Sequence, residues 1–137
     1  WPGKDPVRIV IDKELKLPGN LKLFDKKVRT IVFNNKKQGD DAMLSYCLLD
    51  KNKDDLSQMM EELYKERLQS VIVEGGAKLL QSFIDAHLWD EARIICNVQL
   101  TIGNGLDAPV LKKSKLIKEE KINTDIISFF VKKDDNE

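Results

Sequence analysis

Glu74-Gly75-Gly76 holds more chemistry than any other stretch of this chain. Two adjacent glycines can take positive φ, and they leave backbone amides bare where a helix begins. Bare amides at the positive end of a helix dipole favour an anion, and phosphate is the usual one. A glycine pair between strand and helix also occurs as a plain tight connection with no ligand. Glu74 argues for the ligand, because the turn does not need its carboxylate and a phosphate beside it would repel it. Its carboxylate suits a polar, uncharged part of a ligand, or a cation. The other reactive side chains are sparse. His87 stands near the end of a helix, where positive charge is welcome, and has no Cys or Asp at a recognisable spacing, so it reads as structural. Cys47 and Cys96 lie far apart in apolar stretches and suit buried thiols better than a disulfide framework or a metal site.

The elements that must hold Glu74 follow from hydrophobic period. Val71, Ile72 and Val73 form a short β-branched block, the composition of a strand buried on both faces. That would put Glu74 at the C-terminal end of a parallel strand, where open α/β sheets bind their ligands. Leu79, Leu80, Phe83, Ile84 and Leu88 then fall on one helical stripe. Upstream, residues 1–6 read as a loop and residues 7–11 as a strand ending at Asp12. Leu15, Leu17, Leu21, Leu23 and Phe24 lie in a crossing loop without a stable helix. Residues 30–34 form a second strand, 35–41 a polar loop and 43–49 a third strand. Asp54 and Asp55 open a helix whose core stripe is Leu56, Met59, Met60, Leu63 and Tyr64. Downstream, Trp89-Asp90-Glu91 makes a corner. Residues 92–100 alternate, with Ala92, Ile94, Cys96, Val98 and Leu100 expected to face the core. Gly103-Asn104-Gly105 is a turn and residues 107–114 a loop. Residues 116–122 and 126–131 flank Asn123-Thr124-Asp125 as an antiparallel hairpin, before a frayed tail at 134–137. The order predicts an α/β fold with an antiparallel end.

At 137 residues the chain is expected to be one domain, 1–137, able to bury about two-thirds of its unfolded surface. Its 23 basic and 23 acidic residues give a net charge of zero, which offers no electrostatic case for nucleic acid or an anionic membrane. The lysines at 112, 113, 115 and 118 read as a solvated edge. No apolar run approaches transmembrane length and no signal peptide is visible, so the expected location is the cytoplasm. The chain starts with Trp1, which suggests a piece of something longer.

The run Val-Glu-Gly-Gly-Ala-x-Leu-Leu-x-Ser-Phe-Ile-x-Ala-x-Leu-Trp-Asp-Glu, residues 73–91, carries a resemblance. It is similar to the reductase domain of the bifunctional riboflavin-biosynthesis deaminase/reductase, within the dihydrofolate-reductase-like superfamily. The similarity continues through Gly103-Asn104-Gly105 and back to Val7-Arg8-Ile9-Val10-Ile11-Asp12, covering most of the chain in order. It implies a dihydrofolate-reductase-like, mostly parallel sheet flanked by helices, with a C-terminal antiparallel hairpin. It also implies NADPH-dependent reduction of the ribosyl group of 5-amino-6-(5-phosphoribosylamino)uracil to ribityl, by a homodimer, without catalytic triad or metal. By the family pattern Glu74 contacts the substrate, and Gly76, Ala77, Lys78, Leu79, Leu80, Gln81 and Ser82 wrap the dinucleotide phosphates. Lys13 replaces a small hydroxylic residue of many relatives; it either pairs with a cofactor phosphate or marks a weakened site. The family carries a further half-domain before the position of Val7, so the chain alone is expected to be inactive and to self-associate or show a groove. Two other readings stay open: a non-enzymatic nucleotide-binding or oligomerisation module on the same fold, and a pterin reductase of the same superfamily.

Overall fold

The structure, a computed structural model, describes Gly3 and residues 5–101 and 103–133. The expected leading loop falls only partly within these residues, and the expected tail at 134–137 falls outside them. The chain forms two compact units, one ending at Ser70 and the other beginning at Val71.

The first unit is a parallel sheet of β1 (Arg8–Ile11), β2 (Thr30–Asn34) and β3 (Leu44–Leu48), in the order β1-β2-β3. β2 is central and buried along its whole length, with Ile31-Val32-Phe33 as the apolar run of a strand covered on both faces. Register sets Ile11, Phe33 and Cys47 side by side. On their face lies α1 (Asp55–Lys65), which closes a core of Ile31, Phe33, Cys47, Leu49, Met59 and Leu63, with Leu56 and Met60 packed against it. Tyr64 does not join this stripe and is 84 % exposed. At about 100° per residue it sits roughly 90° from the centre set by Leu56, Met59, Met60 and Leu63. Asp54 caps α1, accepting the Ser57 N–H at 2.7 Å. The opposite sheet face meets the crossing loop, whose one regular piece is a 3₁₀ turn at Lys22–Phe24.

The second unit holds α2 (Ala77–Asp85) and an antiparallel sheet of β4 (Glu91–Asn97), β5 (Ser114–Ile122) and β6 (Asp125–Lys132), in the order β4-β6-β5. β5 and β6 are the expected hairpin. Ile122 pairs with Asp125, leaving Asn123-Thr124 as the turn, with Asn123 at φ +56°. The chain is thus α/β, with one parallel and one antiparallel sheet.

Three further expectations need correction. Residues 71–73 carry no strand; Val71 is 39 % and Ile72 86 % exposed. A β-branched block becomes a strand only through a ladder partner, and it has none among the described residues. β4 stops at Asn97 instead of reaching residue 100. The Asn97 side chain accepts the N–H groups of Gln99 at 2.9 Å and Leu100 at 2.7 Å, which turns the chain out of the sheet. Finally, Cys47 is buried as expected, but Cys96 is exposed. Among the described residues β4 pairs only with β6, and of its intended core face Ile94 and Cys96 stay exposed.

Candidate functional site

The amino terminus of α2 is built as an anion site would be. Gly76 is its N-cap and offers no side-chain acceptor; the first turn contains no acidic residue. The amides of Leu79 and Leu80 bond to the Gly76 carbonyl at 3.0 and 3.2 Å, whereas those of Ala77 and Lys78 make no hydrogen bond among the described residues. These are the donors that α-helical geometry leaves over. Lys78 adds an exposed ammonium to the same turn, and the exposed Glu74 carboxylate precedes it.

The glycines serve a purpose other than the expected one. Neither Gly75 nor Gly76 has positive φ; among the described glycines only Gly103 does, at +76°. Gly75 is closely approached by Leu79: a Cβ there would lie 2.5 Å from Leu79 Cδ2, so that side chain would have to shift, while a Cβ on Gly76 would meet nothing within 4 Å.

The remaining expected phosphate-wrapping residues divide by what their side chains already do. Ser82 Oγ donates to the Lys78 carbonyl at 2.9 Å. Gln81 is bonded to the peptide of Val110 through both ends of its amide. Ala77, Leu79 and Leu80 are half-buried and contribute shape and backbone. Lys13 belongs to the first unit, where its ammonium pairs with Asp55 in the first turn of α1. His87 follows the end of α2 at φ +56° and its carbonyl accepts from Lys132, a structural position.

A feature the sequence reading missed lies in the first unit. A groove of about 360 Å³ is lined by Asp12, Leu15, Leu17, Phe24, Lys37 and Tyr46 among others. The Lys37 ammonium sits 3.7 Å above the centre of the Tyr46 ring. Two buried polar residues shape the loops around it. Asp12 accepts the N–H groups of Lys16 and Leu17, both at 2.9 Å. Asn34 is fully buried; it accepts from the Lys36 and Lys37 amides at 2.9 and 2.8 Å and donates to the carbonyls of Val32 and Cys47. An Asn at the end of an otherwise apolar strand was the available signal. The thiol of Cys47 offers no nucleophile, because burial, helped by Glu62, pushes its pKa up to about 11. Among the described residues no His, Cys, Asp and Glu cluster could hold a metal ion, and no helix is long and apolar enough to cross a membrane.

Known proteins are similar to this chain in sequence, and solved structures are similar to it in fold. The chain is 27 % identical over 135 residues to the 2,5-diamino-6-ribosylamino-4(3H)-pyrimidinone 5′-phosphate reductase of Archaeoglobus fulgidus, across 88 % of this chain and 61 % of that protein. It is 24 % identical over 124 residues to the protein of the same name from Methanothermobacter thermautotrophicus, across 86 % of this chain and 56 % of the relative. The chain therefore spans less than two-thirds of the length of these relatives. Among solved structures it resembles a Thermotoga maritima diaminohydroxyphosphoribosylaminopyrimidine deaminase/5-amino-6-(5-phosphoribosylamino)uracil reductase, with TM-score 0.78 and 24 % identity over 95 % of this chain and 38 % of that one. It also resembles the riboflavin biosynthesis reductase of Saccharomyces cerevisiae, with TM-score 0.71 and 21 % identity over 94 % of this chain and 70 % of that one. At these identities the structural likeness is one of fold. Residues 1–127 match the profile of the RibD C-terminal domain, and the chain belongs to that family.

Proposed function

We propose that the chain is part of an NADPH-dependent reductase of riboflavin biosynthesis, acting in the cytoplasm as a homodimer with residues 1–137 in one domain. The substrate is 5-amino-6-(5-phosphoribosylamino)uracil, whose ribosyl group becomes ribityl. One observation carries the reading: α2 begins without a side-chain cap or an acid, with the Ala77 and Lys78 amides unbonded among the described residues and Glu74 just before them. That donor set fits a dinucleotide phosphate.

When bound, NADPH supplies the hydride. The chain's part is to bind and orient. The segment Gly76, Ala77, Lys78, Leu79, Leu80, Gln81 and Ser82 wraps the phosphates, with the first two helical amides and the Lys78 ammonium as donors. Lys13, in the first unit, keeps both of its expected readings, a cofactor-phosphate partner or the mark of a weakened site, and its ammonium is already held by Asp55. Glu74 contacts an uncharged polar part of the pyrimidine, and the two roles stay separate because a carboxylate repels phosphate. The names of the Archaeoglobus and Methanothermobacter relatives favour a second substrate, the 2,5-diamino-pyrimidinone phosphate, with the same sugar chemistry.

The test is steady-state reduction of both pyrimidines by the full-length parent, beside this chain alone, which we expect to be inactive. NADPH should be preferred over NADH; equal rates with the two would remove the 2′-phosphate from the proposal. Glu74→Gln should weaken substrate binding and leave the melting temperature within about 2 °C, a surface-substitution effect. A large loss of thermal stability with unchanged substrate affinity would make Glu74 structural.

A further inference from the structure

β3 is the last strand of the parallel sheet, and its own sequence does nothing to protect its outer edge. From Met43 to Leu49 the chain carries no charge, no proline and no glycine. An uncharged run of that kind on an open edge is a template for pairing with another chain. The strand at the other side of the sheet, β1, opens on Arg8.

The β3 edge is not open. The amides of Leu44, Tyr46 and Leu48 all bond away from β2, to the loop that joins the two strands. The Leu44 N–H bonds to the Asp41 carbonyl at 3.1 Å and the Tyr46 N–H to the Gly39 carbonyl at 2.6 Å. Gly39 returns its own N–H to the Tyr46 carbonyl at 3.0 Å, an isolated antiparallel bridge. The Leu48 N–H goes to Gln38 Oε1 at 2.8 Å, a side-chain oxygen standing where a further strand would place a carbonyl. The same loop brings the charges that β3 lacks. Lys37 lies over the Tyr46 ring, Asp40 accepts from Ser45 Oγ at 2.8 Å, and Asp41 pairs with Lys26 at 2.5 Å. What reads in sequence as a polar loop is laid along the strand.

We infer that residues 37–41 guard the β3 edge, and that the surface they withhold is a strand-pairing surface for a second copy of this chain. The occupant follows from composition. An uncharged, extended segment fits best against Met43–Leu49, and the same strand of another copy is such a segment. Two identical edges can meet about a dyad, each offering the other the groups that Gln38 and Gly39 now hold. The guard is thin, one bridge and one side chain, with the loop's charges beside them. Leu48, 50 % exposed, lies at the end that Gln38 alone covers. None of this depends on the reductase reading or on the dimer proposed with it.

Hydrogen exchange tests the guard in the unaltered chain. The Leu44, Tyr46 and Leu48 amides should be protected, and exchange at free-chain rates would overturn the guard. Gln38→Ala should speed exchange at Leu48 about fivefold or more, as expected for losing a net hydrogen bond, and leave the β2 amides as they are. No change at Leu48 would overturn the role of Gln38. Sedimentation over a concentration series then compares the double variant Gln38→Ala/Asp40→Ala with the unaltered chain. The variant should form larger species while its β2 amides stay protected. Adding Leu48→Lys, which puts a charge on the strand itself, should return it to the unaltered pattern. A variant that sediments like the unaltered chain, or whose association Leu48→Lys does not reverse, overturns the pairing surface. So do larger species that appear only with loss of β2 protection, since those come from unfolding.

Discussion

Asp12, Asn34 and Asn97 each stand at the end of a strand, and in each the side-chain oxygen holds amides of the residues that follow. Asn34 is the most demanding case. Its side chain has no access to water, and it bonds both the loop beyond it and the carbonyl of Cys47 on β3. Removing it leaves buried groups without partners, a penalty of about 1–3 kcal/mol for each such group. Asn34→Ala should therefore lower unfolding stability by about 2–3 kcal/mol in urea melts, and it should free Lys37 from its place over Tyr46. A loss below about 0.5 kcal/mol, the size of a surface change, would show that water replaces the amide. The sequence reading saw Asp12 at a strand end and Asn34 only as the last strand residue. A polar side chain's burial is decided by what the neighbouring strands put around it, and its own residue type does not reveal that.

Both helices stop in the same way, without the glycine usual there. After α1, Arg67 takes φ +57°; its N–H bonds to the Tyr64 carbonyl at 2.9 Å, and the Leu68 N–H bonds to Leu63 at 3.0 Å. After α2, His87 takes φ +56° with the matching bonds to Ile84 and Phe83 at 3.1 and 3.0 Å. These are Schellman endings, where the left-handed residue is strained by its Cβ. Arg67→Gly and His87→Gly should each stabilise the fold by about 1 kcal/mol, read from the shift in thermal midpoint. A destabilisation by either would mean that its side chain does more than end a helix. The elements themselves were largely legible. β2 appears in the sequence with its observed bounds, α1 announces itself through Asp54 and its stripe, and the β5–β6 hairpin through Asn123-Thr124. Residues 71–73 were not, because composition states only that a segment would make a good strand. Whether it is one depends on a partner elsewhere in the chain, and period cannot report that.

At the scale of the whole chain, apolar burial is unevenly divided. Ile31, Val32, Phe33, Leu49, Met59 and Leu63 of the first unit are buried, whereas in the second unit Phe83 is the buried hydrophobic residue among those described. Burying one such side chain contributes about 1.5–3 kcal/mol, so the difference is large beside the net stability of a domain of this size. The antiparallel sheet must rely more on its ladder and less on a core. Local opening free energy follows buried apolar contacts, from near zero at frayed edges to the global value in a core. Native-state hydrogen exchange should therefore rank the strands. The β2 amides should exchange only by global unfolding, with a denaturant dependence to match. Those of β4, an edge strand with Ile95 68 % exposed, should exchange through smaller openings that denaturant barely affects. β6 should fall between them, since it is paired on both sides. If β4 and β6 were as protected as β2, the apolar faces of the second unit would be covered in solution, and dimerisation through that sheet would be the first thing to measure.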